Sequence, residues 1–307
     1  MSDSLFDDST RRKLEQLMLH ASRVRSGAIK GERRSVKRGT SVEFADYRNY
    51  APGDDLRRLD WNIYARLERP LTKLYEDEED LAVHLLLDAS ASMNFPDGGE
   101  GGGAEHHKFA FARRLLAGLA YVSLTADDRL MLTAFTVPNE RDSDGTLHFG
   151  PARGRGYGAA LLKFVGGLEA RGAVDLNAAL KNYALRTGRR GLVVVISDLF
   201  APSGFTDGLN ALVGKGHEVA LLHVLAPEEV EPPLLGDLRL IDSETGMAQE
   251  VSVDGGLRDL YRQRVEQWRD SLRMECRRRG AHYIPITTDQ AWEKVILFDL
   301  RRLGVIK

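Results

Sequence analysis

Three short polar segments contain the residues best suited to chemistry in this sequence. The first is Asp88-Ala-Ser90-Ala-Ser92, which directly follows the apolar run of residues 81–87. A carboxylate and two hydroxyls at alternate positions after a buried strand can converge on one point. Mg²⁺ prefers such oxygen donors, in octahedral geometry and with several waters retained. An ordinary polar turn is the alternative for this pentapeptide alone, so the other two segments are needed to interpret it.

The second and third segments also stand at the ends of predicted elements. Asp175 lies in GAVDLNAAL, ahead of a predicted helix, and Asp198 follows the apolar run GLVVVIS. The carboxyl ends of parallel strands meet at one edge of a sheet, where loops converge and ligands bind. We therefore expect one oxygen-rich site at that edge. Its predicted ligands are Asp88, Ser90, Ser92 and Asp198, with Asp175 as a further candidate.

Several catalytic uses of the first segment fail on the residues themselves. A phosphatase of the haloacid-dehalogenase type would need a second carboxylate where Ser90 stands. A serine hydrolase would need the glycines of G-x-S-x-G around its nucleophile, and neither serine has them. The glycine-rich loop at 98–103 lacks the GK[ST] of a P-loop. The first two reaction classes are therefore excluded for this segment, and a P-loop is excluded at 98–103.

A metal-dependent hydrolase that acts through Asp88 and Asp198 remains as the alternative function. Its weak point is the general base. His84 lies inside a predicted strand, which is typical of a packed core histidine, whereas His106 and His107 lie near the glycine loop and could approach the site. The sequence leaves this alternative open.

The three segments together resemble the metal-ion-dependent adhesion site of von Willebrand factor A domains. In that family a Thr from the second segment completes the shell, and a partner's carboxylate often takes the open position. The family pattern is close to G-G-T-D-L-x-x-A-L, and Val174 stands here at the Thr position. The resemblance implies a Mg²⁺ (or Mn²⁺) ion, but Val lacks the coordinating hydroxyl. We therefore expect a degenerate site.

A longer block upstream resembles the signature of the domain of unknown function 58 family, which precedes an A-type domain. It spans residues 41–80, and Leu59 stands at an Ile position of the pattern. We interpret it as a buried ion-pair and turn network, with Trp61 and Tyr64 in a small core; a partner-binding surface is the alternative. The matching residues are Arg48, Tyr50, Pro52, Gly53, Asp54, Asp55, Arg57, Asp60, Trp61 and Arg66.

This family resemblance implies a function that is exerted through other proteins. Members are often encoded beside a MoxR-type AAA+ ATPase, and such pairs are thought to act in protein complex maturation or stress tolerance. We therefore expect a non-enzymatic interaction adaptor. Its partners would be a MoxR-type AAA+ ATPase and other proteins of the same pathway.

The elements that position these segments alternate between apolar strands and helices from residue 81 onward. This alternation predicts a mainly parallel sheet flanked by helices, an α/β fold of the von Willebrand factor A-like (Rossmann-type) class, with a small β-rich N-terminal extension. We expect a first helix from about residue 9 to Arg23. The predicted division is 1–38 for this helix and a basic arm, 39–80 for the β-rich signature subdomain, and 81–307 for the α/β domain, with a β-hairpin near 238–253.

Composition limits the remaining function classes. The chain has 307 residues, 43% of them hydrophobic, a net charge of −2 and one cysteine. These values exclude global disorder, an internal disulfide and a cysteine-cluster zinc site. The basic stretch 23–38 has no aromatic residues for base stacking, so we expect no nucleic-acid partner. No run approaches the ~18 apolar residues of a membrane span and no signal-peptide core is present, so we expect a cytoplasmic protein.

Overall fold

The computed structural model describes residues 8–17, 19, 43–51, 56, 59–76, 81–96, 106–138, 144–233, 236–242 and 246–306. All structural statements concern these residues. The chain forms two compact units, one of residues 1–28 with 81–307 and one of residues 29–80. The larger unit contains the predicted site, and the smaller unit contains the signature block.

Strands and helices alternate along most of the larger unit. In chain order the elements are α1 (Asp8–Leu14), β1 (Glu43–Asn49), α2 (Trp61–Leu67), β2 (Leu71–Glu76), β3 (Ala82–Asp88), α3 (Lys108–Thr125), β4 (Arg129–Phe135), β5 (Thr146–Ala152), α4 (Gly158–Gly166), α5 (Leu176–Arg186), β6 (Leu192–Ser197), α6 (Thr206–Gly214), β7 (Glu218–Leu225), α7 (Pro227–Val230), β8 (Gly236–Ile241), β9 (Ala248–Val253), α8 (Gly255–Arg279) and β10 (His282–Thr287). A helical segment, Trp292–Arg302, follows β10 and contains a π-helical turn at Val295–Asp299.

The core of the larger unit is a six-stranded sheet in the order β10-β7-β6-β3-β4-β5. All neighbouring strands are parallel except β4 and β5, which are antiparallel. The fold is therefore α/β, with a central, mostly parallel sheet flanked by helices, as predicted. Strands β8 and β9 form a separate antiparallel hairpin, close to the predicted span 238–253.

Strand β3 shows why the apolar runs form the centre of this sheet. Its side chains alternate between the two faces, as the twofold period of a strand requires. Leu85 and Leu87 pack in the apolar cluster that contains α3, whereas Leu86 packs in the cluster that contains α5 and α6. Both faces are covered, so a continuous apolar sequence is needed instead of an alternating one.

The smaller unit consists of the antiparallel pair β1–β2 with α2 between them in sequence. Asp60 is the N-cap of α2, because its Oδ1 accepts hydrogen bonds from the amides of Asn62 and Ile63 at 3.0 and 3.1 Å. Its Oδ2 accepts a bond from the Tyr47 hydroxyl at 3.1 Å. The signature aspartate at position 60 therefore has a structural role, since it begins a helix and joins that helix to β1.

The structure differs from the expectations for the signature block at four residues. Trp61 and Tyr64 do not form a core: they are 58% and 43% exposed and contact each other edge to face at 6.2 Å. Arg48 and Arg66 are also exposed, so these two arginines are not part of a buried ion-pair network. None of the seven residues of the short helix α2 is buried, so its aromatic side chains lie at the surface like the rest of the helix. Pro52, Gly53, Asp54, Asp55 and Arg57 lie outside the described residues.

The N-terminal part of the chain also differs from the expectation. The first helix ends at Leu14, not near Arg23. Leu14 and Leu17 are buried, and Leu19 forms a bridge with Ile306, so this part packs within the larger unit. The compact units divide at residues 28 and 80, whereas the predicted boundaries were 38 and 80. None of the helices in the described part of the chain has the length and apolarity that crossing a membrane requires.

Candidate functional site

The carboxyl edge of the sheet brings the three predicted segments together. The Ser197 hydroxyl at the end of β6 donates to Asp88 at the end of β3, at 2.6 Å. The loop before α5 joins the first segment through two backbone bonds, Ala91 N to Gly172 O at 2.7 Å and Arg171 N to Ala89 O at 2.9 Å. The segments therefore meet because β3 and β6 are adjacent parallel strands.

The first segment forms a compact polar turn around Asp88. The buried Asp88 carboxylate accepts from the Ser90 amide through Oδ1 at 3.0 Å, and from Ser197 through Oδ2. The Ser90 and Ser92 hydroxyl oxygens lie 3.0 Å apart. The two hydroxyls thus converge as the D-x-S-x-S spacing predicts, but in this structure they are hydrogen-bonded to each other.

The third segment turns sharply after β6. Asp198 is buried, and its Oδ1 accepts from the Phe200 amide at 3.1 Å. Between them, Leu199 adopts a left-handed conformation with φ of 58°. A non-glycine residue in that region costs roughly 1–2 kcal/mol, which the surrounding contacts must offset. The strained turn places the Phe200 side chain beside the polar cluster.

Lys108, the first residue of α3, is the central group that sequence reasoning missed. Its side chain is fully buried, and Nζ lies 2.6 Å from Asp198 Oδ2 and 2.7 Å from Glu229 Oε1. Glu229 lies in α7, and its Oε2 accepts from the Ala226 amide at 2.8 Å. The site therefore contains a fixed internal cation held between two carboxylates from different elements.

Two aromatic rings border this cation and reach the surface. The Lys108 ammonium lies 5.8 Å from the ring centroid of Phe95 and 5.1 Å from that of Phe200, which is within the range of a cation–π contact. Phe95 and Phe200 are 38% and 42% exposed. Phe200 also stacks on Trp268 of α8, with ring centroids 5.3 Å apart. The edge therefore presents two partly exposed aromatic side chains above a buried charged cluster.

The second segment begins helix α5 and contacts the loop that follows β6. Asp175 is the N-cap of α5, and its Oδ1 accepts from the Ala178 amide at 3.0 Å and from the Ser203 hydroxyl at 2.8 Å. These bonds lower the pKa of Asp175. Val174, at the expected Thr position, packs against the apolar cluster of α5 and α6. Both side chains thus have contacts that do not involve an ion.

Burial and charge perturb the carboxyl groups of the cluster. Burial, with the nearby charge of Asp198, raises the pKa of Asp88 to about 6, against the hydrogen bonds from Ser197 and Ser90. Burial also raises the pKa of Glu229, and the Lys108 ammonium only partly offsets it. The cluster thus combines two buried carboxyl groups and the largely buried Glu229 with one ammonium. Proton uptake by Asp88 can relieve the surplus negative charge.

Three histidines of the larger unit, His84, His107 and His223, have structural contacts. His84, inside β3, accepts at Nδ1 from the Tyr183 hydroxyl at 2.8 Å and donates from Nε2 to the Arg189 carbonyl at 3.2 Å. His107 caps α3, since its Nδ1 accepts from the Ala110 amide. His223 lies 2.6 Å from the Tyr283 hydroxyl, and burial lowers its pKa to about 3. These contacts do not place a neutral, accessible imidazole beside Asp88.

The donor set fits a divalent cation poorly as it is arranged here. All four carboxylate oxygens of Asp88 and Asp198 already accept a hydrogen bond from the protein. A divalent ion placed about 4 Å from the Lys108 ammonium would be repelled by that ammonium by about 8 kcal/mol at an effective dielectric constant of ~20, which offsets part of its attraction to the carboxylates. The Mg²⁺ or Mn²⁺ ion stays a prediction, and the geometry argues against it.

A sequence signal for Lys108 existed. Residues 108, 112, 115 and 119 are spaced as one face of a helix, and the last three are Ala, Leu and Leu. A lysine on the same face as core residues must either extend to solvent or pair with a buried carboxylate. Its pairing with Asp198 could not be anticipated, because that contact depends on how α3 packs on the sheet.

Comparisons with known proteins agree with the signature block. The family model described as "Protein of unknown function DUF58" matches residues 46–271. An uncharacterized protein of Mycobacterium bovis is 30% identical over 283 residues, which cover 91% of this chain and 85% of that protein. An uncharacterized protein of Mycobacterium avium is 35% identical over 134 residues, which cover 43% of this chain and 79% of that protein.

Solved structures show more distant similarity. The conserved hypothetical protein BatB of Bacteroides thetaiotaomicron has a TM-score of 0.44 and 14% identity, over 73% of this chain and 98% of that one. An aerotolerance-related membrane protein of Bacteroides fragilis has a TM-score of 0.42 and 16% identity, over 72% of this chain and 99% of that one. The family match alone spans well over half of the sequence, and on that basis the chain belongs to the DUF58 family.

Proposed function

We propose that this protein is a non-enzymatic interaction adaptor that binds a partner protein through the carboxyl edge of its sheet. The observation that carries the proposal is the pair Phe95 and Phe200, which are partly exposed and lie beside the buried Lys108 cluster. Aromatic side chains held in place by buried neighbours are typical anchors of protein interfaces, because they bury a large area at a small entropic cost.

The contacts of the polar groups favour binding over catalysis. A hydrolase that acts through Asp88 and Asp198 would need a general base within hydrogen-bond reach of its substrate. His84 is hydrogen-bonded inside β3, and His107 caps α3. Turnover of a generic phosphoester that disappears in Asp88→Asn would favour the hydrolase instead.

The family resemblance supplies the partner in this proposal. It implies a MoxR-type AAA+ ATPase, with a role in protein complex maturation or stress tolerance. The proposed contact is a partner surface that receives the two phenylalanine rings and approaches Ser92, a partly exposed residue at this edge. Such a surface would combine an apolar centre with polar groups around it, as interfaces of this class do.

The test is direct binding between the purified chain and the MoxR-type AAA+ ATPase of the same genome, measured by biolayer interferometry. We expect Phe95→Ser and Phe200→Ser each to weaken binding by at least about tenfold, the effect of losing a central aromatic anchor. The matched control is Leu185→Ser, in which a 73% exposed apolar side chain is removed from α5. Helix α5 runs away from the carboxyl edge, so Leu185 lies near the opposite edge, close to the start of β6.

The possible results test the contact surface and the identity of the partner separately. Equal binding by the wild type and both phenylalanine variants, all with unchanged thermal unfolding, would show that this edge is not the contact surface. Absence of any complex with the wild type would remove the ATPase as the partner. Each measurement is made in Mg²⁺ and in EDTA, so that a contribution from a divalent ion is detected independently of the aromatic contacts.

A further inference from the structure

The position of Lys108 is determined by the polar segments themselves. Its backbone amide donates to the Phe95 carbonyl at 2.8 Å, which ties the start of α3 to the chain just after Ser90 and Ser92. The side chain then extends inward to Asp198. An unpaired ammonium is almost never buried in a protein, so this placement requires the carboxylates that surround it.

The carboxylates are in turn held in a fixed orientation. Asp198 receives the Phe200 amide on one oxygen and the Lys108 ammonium on the other. Glu229 receives the Ala226 amide on one oxygen and the same ammonium on the other. Each carboxylate therefore accepts hydrogen bonds from protein donors on both of its oxygens. The Lys108 ammonium is the donor that the two carboxylates share.

We propose that the Lys108 ammonium is the built-in cation of this site. It takes the position of the divalent ion that the D-x-S-x-S resemblance implies, so that Asp198 and Glu229 are paired with a cation without a metal. Three further features agree with this assignment. Val174 packs in an apolar cluster, Asp175 caps α5 and accepts from Ser203, and the Ser90 and Ser92 hydroxyls pair with each other.

An ammonium and a metal ion have different consequences for binding. A metal ion can exchange and can accept a further ligand from a partner. The Lys108 ammonium cannot leave, and it is enclosed by two carboxylates and two aromatic rings. If the proposed partner contact is correct, its strength will therefore not change when EDTA replaces Mg²⁺. This consequence rests on the proposed function, whereas the role of Lys108 does not.

The test uses Mn²⁺ as the probe and the isolated full chain, with no partner present. Free Mn²⁺ is measured by electron paramagnetic resonance, and the thermal unfolding midpoint is measured in Mn²⁺ and in EDTA. For the wild type we expect no bound Mn²⁺ at concentrations up to about 1 mM, and the same midpoint in both solutions. In Lys108→Met the side chain keeps its length but loses its charge, and we expect affinity for Mn²⁺ to rise by at least tenfold.

A rise in affinity of that size predicts a second readout in the variant. Mn²⁺ should raise the unfolding midpoint of Lys108→Met by about 4 °C relative to EDTA, because a ligand that binds only the folded state stabilises it. The double variant Lys108→Met/Asp88→Asn should lose both effects, since it lacks a carboxylate of the site. Lys108→Gln serves as a second neutral variant if Lys108→Met does not fold.

Two results would overturn the proposal. One is tight Mn²⁺ binding by the wild type that Asp88→Asn abolishes, because the site would then hold a metal with the ammonium in place. The other is the absence of any gain in Mn²⁺ affinity in a folded neutral variant of Lys108, because the ammonium would then not occupy the position of a cation. Neither result depends on a partner, so the proposed function is tested separately.

Discussion

The ion pair between Lys108 and Asp198 should be worth much more than a surface salt bridge. Their side chains are 0% and 1% exposed, and the pair is 2.6 Å apart. Removing one partner of a buried pair leaves an uncompensated charge, which typically costs about 3–5 kcal/mol. We therefore expect Lys108→Met to lower the free energy of unfolding by about 3 kcal/mol or more. The loss should be larger than for an apolar substitution of similar volume change, because Asp198 and Glu229 both lose their cation.

A double-mutant cycle isolates this pair from other effects of the substitutions. We expect Lys108→Met/Asp198→Asn to be less destabilised than the sum of the two single variants, with a coupling free energy of about 2 kcal/mol or more. The assay is urea unfolding at pH 7, followed by circular dichroism. The matched control is the exposed pair Lys181–Asp207, at 2.8 Å, in which Lys181→Met should cost less than about 1 kcal/mol.

The refuting result is specific. If Lys108→Met destabilises the protein no more than Lys181→Met does, the ammonium of Lys108 is not buried between carboxylates in solution. If the single effects are large but strictly additive, Lys108 is important for packing, and its charge does not act on Asp198. Either result would also remove the physical basis for a built-in cation.

Three further predictions concern the framework of the two units. Burial lowers the pKa of His84 to about 4, so between pH 6.5 and 4 the unfolded chain binds a proton that the folded chain does not. The free energy of unfolding therefore falls as the pH falls. Between pH 7 and 5 this decrease should be about 2 kcal/mol smaller in His84→Gln than in the wild type, as measured by urea unfolding at both pH values. In Gly191→Ala the new Cβ would lie 1.9 Å from the Ala82 carbonyl oxygen, so we expect a loss of about 2 kcal/mol or more, whereas Gly188→Ala, with open space around it, should be nearly neutral. Asp60→Ala removes the N-cap of α2 and should cost about 1 kcal/mol, most of which Asp60→Asn retains, as measured by hydrogen exchange of the α2 amides.

The arrangement of the sheet could be predicted because its determinants are local in sequence. Residues 81–87 and 191–197 are mostly apolar runs of strand length, and a strand covered on both faces is expected to have such a sequence. A polar residue directly after such a run lies at the carboxyl edge of a parallel sheet. Asp88 and Asp198 were placed correctly on this basis, and the adjacency of β3 and β6 brings them together.

The parts that could not be predicted depend on tertiary packing. Trp61 and Tyr64 were expected in a core because aromatic side chains bury large areas, yet α2 is too short to cover them with its own neighbours. Lys108 is the opposite case, since lysine is a residue type that is rarely buried and its side chain is fully buried here. In both cases the residue type predicts only the average burial of such a side chain, whereas the packing of neighbouring elements determines its burial in this protein.

Val174 and Lys108 have a common explanation if the ammonium is the cation of this site. A hydroxyl at position 174 is useful only when an ion is present to accept it as a ligand. Val174 is partly buried, and without an ion a threonine hydroxyl there would lose part of its hydration, whereas a valine of similar shape gains from apolar contact. Val174 packs in this way against the cluster of α5 and α6. The absence of the predicted ligand at position 174 and the burial of Lys108 are then two consequences of one change. An exchangeable metal ion is replaced by an ammonium group that is part of the chain.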